Sequence, residues 1–154
     1  MIAVIQRVKR SSVRIEGNVV GECDHGLMIL LGVAEGDTRA DADALAAKIS
    51  KLRIFCDENG KMNLSVKDVD GEMLVVSQFT LLANYAKGNR PDYMNSAAPD
   101  VANELYEYFV SLVRSEVKHV GTGVFGGDME VTIINDGPVT IVMDSKVLLA
   151  KKKN

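Results

Sequence analysis

Ser77-Gln78-Phe79-Thr80 places two hydroxyls and a carboxamide at the end of an apolar run that begins at Met73. Such groups can orient a bound substrate or donate to a developing oxyanion. Ser and Thr at a strand end also commonly satisfy nearby backbone groups, and four ordinary residues do not decide between the two. A second segment, Asn135-Asp136-Gly137-Pro138, lies between two apolar runs and reads as a hairpin turn. X-Pro bonds are cis in only about 5–6% of folded cases, so the pattern alone gives no ground for a cis bond there. Gly121-Thr122-Gly123-Val124-Phe125-Gly126-Gly127 is rich in glycine, but a helical pattern precedes it and a strand pattern follows. That order is wrong for cradling phosphate at a helix N-terminus. It reads as a connector, or as backbone that comes close to a ligand with Phe125 as a stacking face.

General-base and metal chemistry usually draws on histidine, and the chain has two, His25 and His119. His25 precedes a glycine at the start of an apolar strand, and His119 follows a helix, where a cation suits the helix C-terminus. Both read as structural, because no neighbouring acid and nucleophile complete a set. No H-x-x-x-H spacing, Walker loop or strand-bound G-x-G-x-x-G occurs, so neither a metal nor a nucleotide cofactor is expected. Cys23 and Cys56 lie far apart without a C-x-x-C partner and read as ordinary buried or half-buried thiols.

The chain of 154 residues, 47% of them hydrophobic, has the size and apolar content of one domain. Its 18 basic and 21 acidic residues give a formal charge of −3, so the protein as a whole has no attraction for a phosphate backbone. Any RNA contact must be local, and the candidate patches are Arg7, Lys9, Arg10 and Arg14, then Lys87 and Arg90, then Lys118. Gln6 and Arg7 break the apolar opening too early for a signal peptide or a membrane span, which places the protein in the cytosol with no membrane partner. Residues 145–154, with Lys151-Lys152-Lys153, read as a solvated tail.

The elements that must position these residues follow from periodicity. Residues 2–8 and Ser12–Ile15 read as strands, with a hairpin through Glu16-Gly17-Asn18 into Val19-Val20. The unbroken apolar run Leu27–Val33 predicts a central strand buried on both faces. Asp37-Thr38 caps a helix whose apolar face is Ala42, Leu45, Ile49 and Leu52, with Asp41, Lys48 and Lys51 outside. Ile54-Phe55 is extended, residues 58–61 turn, Met73–Phe79 is a strand, and Ala83–Ala98 reads as a long loop. Pro99 opens a second helix with the stripe Val101, Leu105, Tyr108, Phe109, Leu112 and Val113. Met129–Ile134 and Val139–Met143 read as two further strands. The expected fold is a single α/β (α+β-like) domain, a mixed, largely antiparallel and barrel-like sheet covered by two main helices.

Taken together, Ser77-Gln78-Phe79-Thr80-Leu81 and Asn135-Asp136-Gly137-Pro138-Val139-Thr140 resemble the paired signature motifs of the D-aminoacyl-tRNA deacylases. Ile5-Gln6-Arg7-Val8, Gly60-Lys61-Met62-Asn63-Leu64, Arg90-Pro91 and Gly123-Val124-Phe125-Gly126 resemble the family's segments in order and spacing. Gly127 departs from it, standing where alanine is common. The resemblance implies hydrolysis of the ester between D-amino acids, with glycine as a further substrate, and the acceptor end of tRNA. It implies a homodimer in which a cis Gly137-Pro138 reaches the other subunit's site and rejects L-aminoacyl groups, with Arg7 bracing that turn. Ser77, Gln78, Phe79 and Thr80 would form the catalytic pocket, and Phe125 with Met129 would lie beside the terminal adenosine. A non-catalytic tRNA-binding module and a hydrolase of small esters are the competing expectations.

Overall fold

The structure is a computed structural model that describes residues 1–150. β-Branched and aliphatic residues alternate along the first fifteen positions, and β1 (Ile2–Ile15) runs through them as one strand. Gly17, at φ +79°, turns the chain into β2 (Asn18–Cys23). The apolar run expected to lie at the centre is β3 (Gly26–Gly32), followed by α1 (Arg39–Ser50), the short pair β4 (Phe55–Cys56) and β5 (Met62–Leu64), and β6 (Glu72–Ser77). After β6 come a 3-10 turn (Phe79–Leu82), α2 (Pro99–Arg114), β7 (Val120–Thr122), β8 (Glu130–Asp144) and α3 (Ser145–Ala150). None of these helices is long and apolar enough to cross a membrane.

The main sheet is mixed, as expected: β1 pairs antiparallel with β2, β3 and β8, while β3–β6 and β6–β7 are parallel. It curls until β2 meets β7, with backbones so close that a Cβ on Gly21 would stand 1.9 Å from the Thr122 carbonyl oxygen. One on Gly121 would stand 2.4 Å from the Glu22 oxygen, so these glycines are what lets the barrel nearly close. His119 Nε2 lies 2.8 Å from the Glu22 carbonyl at this seam, a structural position.

Both faces of β3 and β6 are buried. Leu27, Ile29, Met73 and Val75 pack outward under Leu45, Ile49, Phe109 and Val113 of the helices, while Met28, Leu74 and Val76 fill the barrel with Val8 and Val13. The buried stripe of α2 is Ala102, Leu105, Tyr106, Phe109, Val110 and Val113. It is rotated from the expected one: Val101 is exposed and Tyr108 and Leu112 are half-buried. Both readings share a helical period, and only the packed neighbour distinguishes them.

Two expectations need correction at the N-terminal corner. Asp41 is buried, not exposed. One of its oxygens accepts from the Thr38 N–H at 2.8 Å, and the other accepts from the Ser145 hydroxyl at 2.6 Å. The segment expected as a tail starts instead as α3, whose buried Ser145 also accepts from the Met1 ammonium at 2.9 Å. That ammonium pairs with Asp37 at 2.7 Å. Lys151-Lys152-Lys153 lies outside the described residues.

Candidate active site

A cleft of about 850 Å³ opens where β6 ends. Val76, Ser77, Gln78 and Phe79 form one wall, Phe125–Met129 another, and Tyr93, Met94, Ser96–Pro99 and Glu35 close the rim. β6 delivers Ser77 because it is pinned between β3 and β7, and the Gln78 N–H donates to the Leu31 carbonyl at 2.8 Å. The chain then leaves the sheet into the 3-10 turn, whose leading amides, at Phe79 and Thr80, have no partner within the turn. Those N–H groups are free to meet an oxygen held in front of them.

Phe79 is 53% exposed and meets Tyr93 edge-to-face, with ring centroids 5.0 Å apart. The Gln78 amide donates to the Thr80 hydroxyl oxygen. An amide cannot take a proton from that hydroxyl, and among the described residues Thr80 has no hydrogen-bonded base. Across the cleft, Phe125 tilts over Tyr106 at 6.3 Å, and the Tyr106 hydroxyl donates to the Val75 carbonyl at 2.7 Å. Burial pushes the Tyr106 phenol up to about 12, which keeps it a neutral donor. A Cβ on Gly123 would stand 2.5 Å from the Met129 sulfur, so the glycine lets Met129 fold beneath the loop.

Asn135-Asp136-Gly137-Pro138 is not a hairpin turn between two strands. β8 is one fifteen-residue strand, with Gln6 paired to Thr140 and Val8 to Asn135. The four residues Asp136–Val139 therefore bulge out opposite the single residue Arg7. The Asn135 side chain spans the base of the bulge, donating to the Val139 carbonyl at 3.3 Å and accepting from the Val139 N–H at 3.1 Å. Arg7 Nε donates to the Asp136 carbonyl at 2.8 Å, and its Nη1 donates to the Ile54 carbonyl at 2.7 Å. The Gly137-Pro138 bond is cis, and Gly137 adopts φ +155°, a conformation other residues rarely take. Pro138 has no N–H to leave unpaired in such a protrusion.

The structure thus brings Ser77, Gln78, Phe79, Phe125 and Met129 to one cleft and places Thr80 on the turn beside it. It does not bring Gly137, Pro138 or Arg7 into the lining of that cleft within the same chain. Glu35, Tyr93, Met94 and Asp128 line it without any periodic signal in the sequence; the length of the loop 83–98 pointed to Tyr93 and Met94, and the glycine-rich 121–127 to the neighbourhood of Asp128. Of the thiols, Cys23 is buried and pushed up to about 12 by that burial and by Glu72, so it is inert. Cys56 is exposed, against expectation, because β4 is a two-residue edge piece that covers only Phe55.

The family model and the curated relatives point to one family. The model described as D-Tyr-tRNA(Tyr) deacylase matches residues 4–144. The chain is 59% identical over 148 residues to a D-aminoacyl-tRNA deacylase of Persephonella marina, covering 96% of this chain and 100% of that one. It is 54% identical over 146 residues to that of Thermosipho africanus, covering 95% and 98%. Among solved structures, a c-Myc DNA unwinding element binding protein is similar at TM-score 0.88 and 39% identity, covering 94% of this chain and 98% of that one. A probable eukaryotic D-amino acid tRNA deacylase has a TM-score of 0.78 at 17% identity over 93% and 98%, a likeness of fold. The chain therefore belongs to the D-Tyr-tRNA(Tyr) deacylase family, whose chemistry is hydrolysis of an aminoacyl-tRNA ester bond.

Proposed function

We propose that this protein hydrolyses the ester between a D-amino acid, or glycine, and the terminal adenosine of tRNA, and that it works as a homodimer in the cytoplasm. The observation that carries this reading is the placement of the cis Gly137-Pro138 bulge. It protrudes, braced by Arg7, but stays out of its own chain's cleft. A second copy would bring the bulge of one subunit over the Ser77–Thr80 corner of the other. Its carbonyls would then crowd the face where an L side chain lies, while a D side chain or a glycine hydrogen escapes the clash. Selection is then by exclusion, which suits a wide mouth that does not grip the side chain.

The outer sheet supports a second copy. No residue of β8 is fully buried, although Val131, Ile133, Val139, Ile141 and Met143 pack toward the core clusters. On the other face Val142 is 70% exposed. A strand of that length and composition, paired only to β1 among the described residues, is an edge that natural proteins cover.

For chemistry, the carbonyl oxygen of the ester sits before the Phe79 and Thr80 N–H groups, with Ser77 and Gln78 orienting the acyl group. Phe125 and Met129 hold the adenosine, with the Phe125 ring as a stacking surface. Water attacks, assisted by the adenosine's own 2′-hydroxyl, and the 3′-oxygen leaves. An aminoacyl ester is already activated, so orientation and oxyanion contacts suffice. The test is release of amino acid from D-tyrosyl-tRNA and L-tyrosyl-tRNA with chelator present. Hydrolysis of the D ester alone is expected. Release from neither would make a non-catalytic tRNA-binding module the better account.

A further inference from the structure

We propose that the hairpin at 84–92 is an RNA clamp that grips the phosphodiester backbone leading into the cleft; this rests on the aminoacyl-tRNA reading above. Asn84 and Asp92 exchange main-chain hydrogen bonds, N to O at 2.8 Å and 3.0 Å, and the Asn84 amide donates to the Asp92 carboxylate at 3.2 Å. The segment expected as a long loop therefore has a fixed base. The chain passes from that base straight into Tyr93 and Met94, which line the cleft. What the hairpin holds, it holds at the cleft's mouth.

The tip, Tyr85-Ala86-Lys87-Gly88-Asn89-Arg90-Pro91, carries two cations and no acid in a chain of net charge −3. Both cations are exposed and neither is in an ion pair with a described residue. The carboxylate at the hairpin base, Asp92, is engaged by Asn84 and by the Met94 N–H at 3.2 Å. Tyr85 is 81% exposed, a large aromatic face open to solvent among the described residues. Gly88, at φ +67°, makes the turn that sets Lys87 and Arg90 on either side. Cations beside an exposed aromatic ring suit a single-stranded polynucleotide, which offers phosphates to the first and a base face to the second. Its charge complements this tip, in a chain whose net charge of −3 gives no overall attraction for RNA.

The test compares wild type with Lys87→Ala/Arg90→Ala and Tyr85→Ala on D-tyrosyl-tRNA and on D-tyrosyl-adenosine, which lacks the RNA chain. Binding of uncharged tRNA is measured alongside across a salt series. The double variant is expected to raise KM for the tRNA ester at least tenfold with kcat unchanged, and to leave adenosine ester turnover within twofold. Loss of two phosphate contacts should lower the slope of log affinity against log salt by about 1.4. Tyr85→Ala should weaken tRNA binding roughly tenfold without changing the slope. Equal effects on both substrates, an unchanged salt slope, or a shift of the dimer's mass in either variant would overturn the clamp. If wild type hydrolyses neither ester, the catalytic reading fails, and the binding data still decide the hairpin.

Discussion

Arg7 Nε lies 2.8 Å from the carbonyl oxygen of Asp136, the residue directly before the cis Gly137-Pro138 bond. The same guanidinium reaches the Ile54 carbonyl at 2.7 Å, so one planar fork ties the bulge in β8 to the chain entering β4. Arg7→Ala leaves both carbonyls without that donor, at about 1–3 kcal/mol for each that stays dry. Urea denaturation should show a loss of about 2–4 kcal/mol. The loosened bulge should also let hydrolysis of L-tyrosyl-tRNA rise relative to D. A variant of unchanged stability and chirality would remove Arg7 from the role of brace.

Thr80 is a hydroxyl that already accepts from the Gln78 amide. As a nucleophile it would need a base, and among the described residues none hydrogen-bonds to it. Thr80→Ala is expected to keep its kcat within about tenfold, since only a positioning contact is lost. D-tyrosyl-tRNA ending in 2′-deoxyadenosine should be cleaved at least a hundredfold more slowly by wild type, as for loss of general acid–base assistance. The opposite pattern, measured by single-turnover release of amino acid, would make Thr80 the attacking group.

The parts legible in the sequence are those fixed by local pattern: β3 as an apolar run, α1 by its cap and period, α2 by Pro99, and Ser77–Thr80 at the end of a strand. The parts that were not depend on distant partners. β7 is three residues long and is a strand only because β6 lies beside it. The bulge in β8 reads as a hairpin because Asn-Asp-Gly-Pro is turn chemistry. What keeps β8 continuous is β1, which runs past both halves with Arg7 beneath the protrusion. Asp41 reads as an exposed helix acid until Ser145, at the other end of the chain, is folded over it.

That Asp41 site makes stability acid-sensitive. Burial raises the carboxyl, but hydrogen bonds from Ser145 and Thr38, with the Met1 ammonium nearby, outweigh it and hold it below its ordinary value. A carboxyl depressed in the folded state binds fewer protons there than in the unfolded chain. Its contribution is therefore complete above about pH 4, the unfolded carboxylate value, and is lost as pH falls through the lower folded value. Urea midpoints for wild type should drop between pH 5 and 2, in the range of about a carboxylate titration. Asp41→Asn should be less stable at pH 7 and show a shallower acid limb. Parallel limbs would place the acid sensitivity elsewhere.

Val142 stands on the outer face of β8, 70% exposed, two residues beyond the Thr140 that follows the bulge. If a second copy covers this face, Val142→Arg puts an unpaired cation into a contact between like subunits, once from each subunit. The monomer has no such contact, so its own fold should be unaffected and its urea midpoint at low concentration within about 0.5 kcal/mol of wild type. Sedimentation should show wild type at twice the chain mass and the variant near one. If each cleft needs the other subunit's Gly137-Pro138, as proposed, deacylation should fall in proportion to the dimer fraction and recover as concentration is raised. A monomeric variant with full, chirally selective activity would mean that each chain builds its site alone, and the protruding bulge would then need a different explanation.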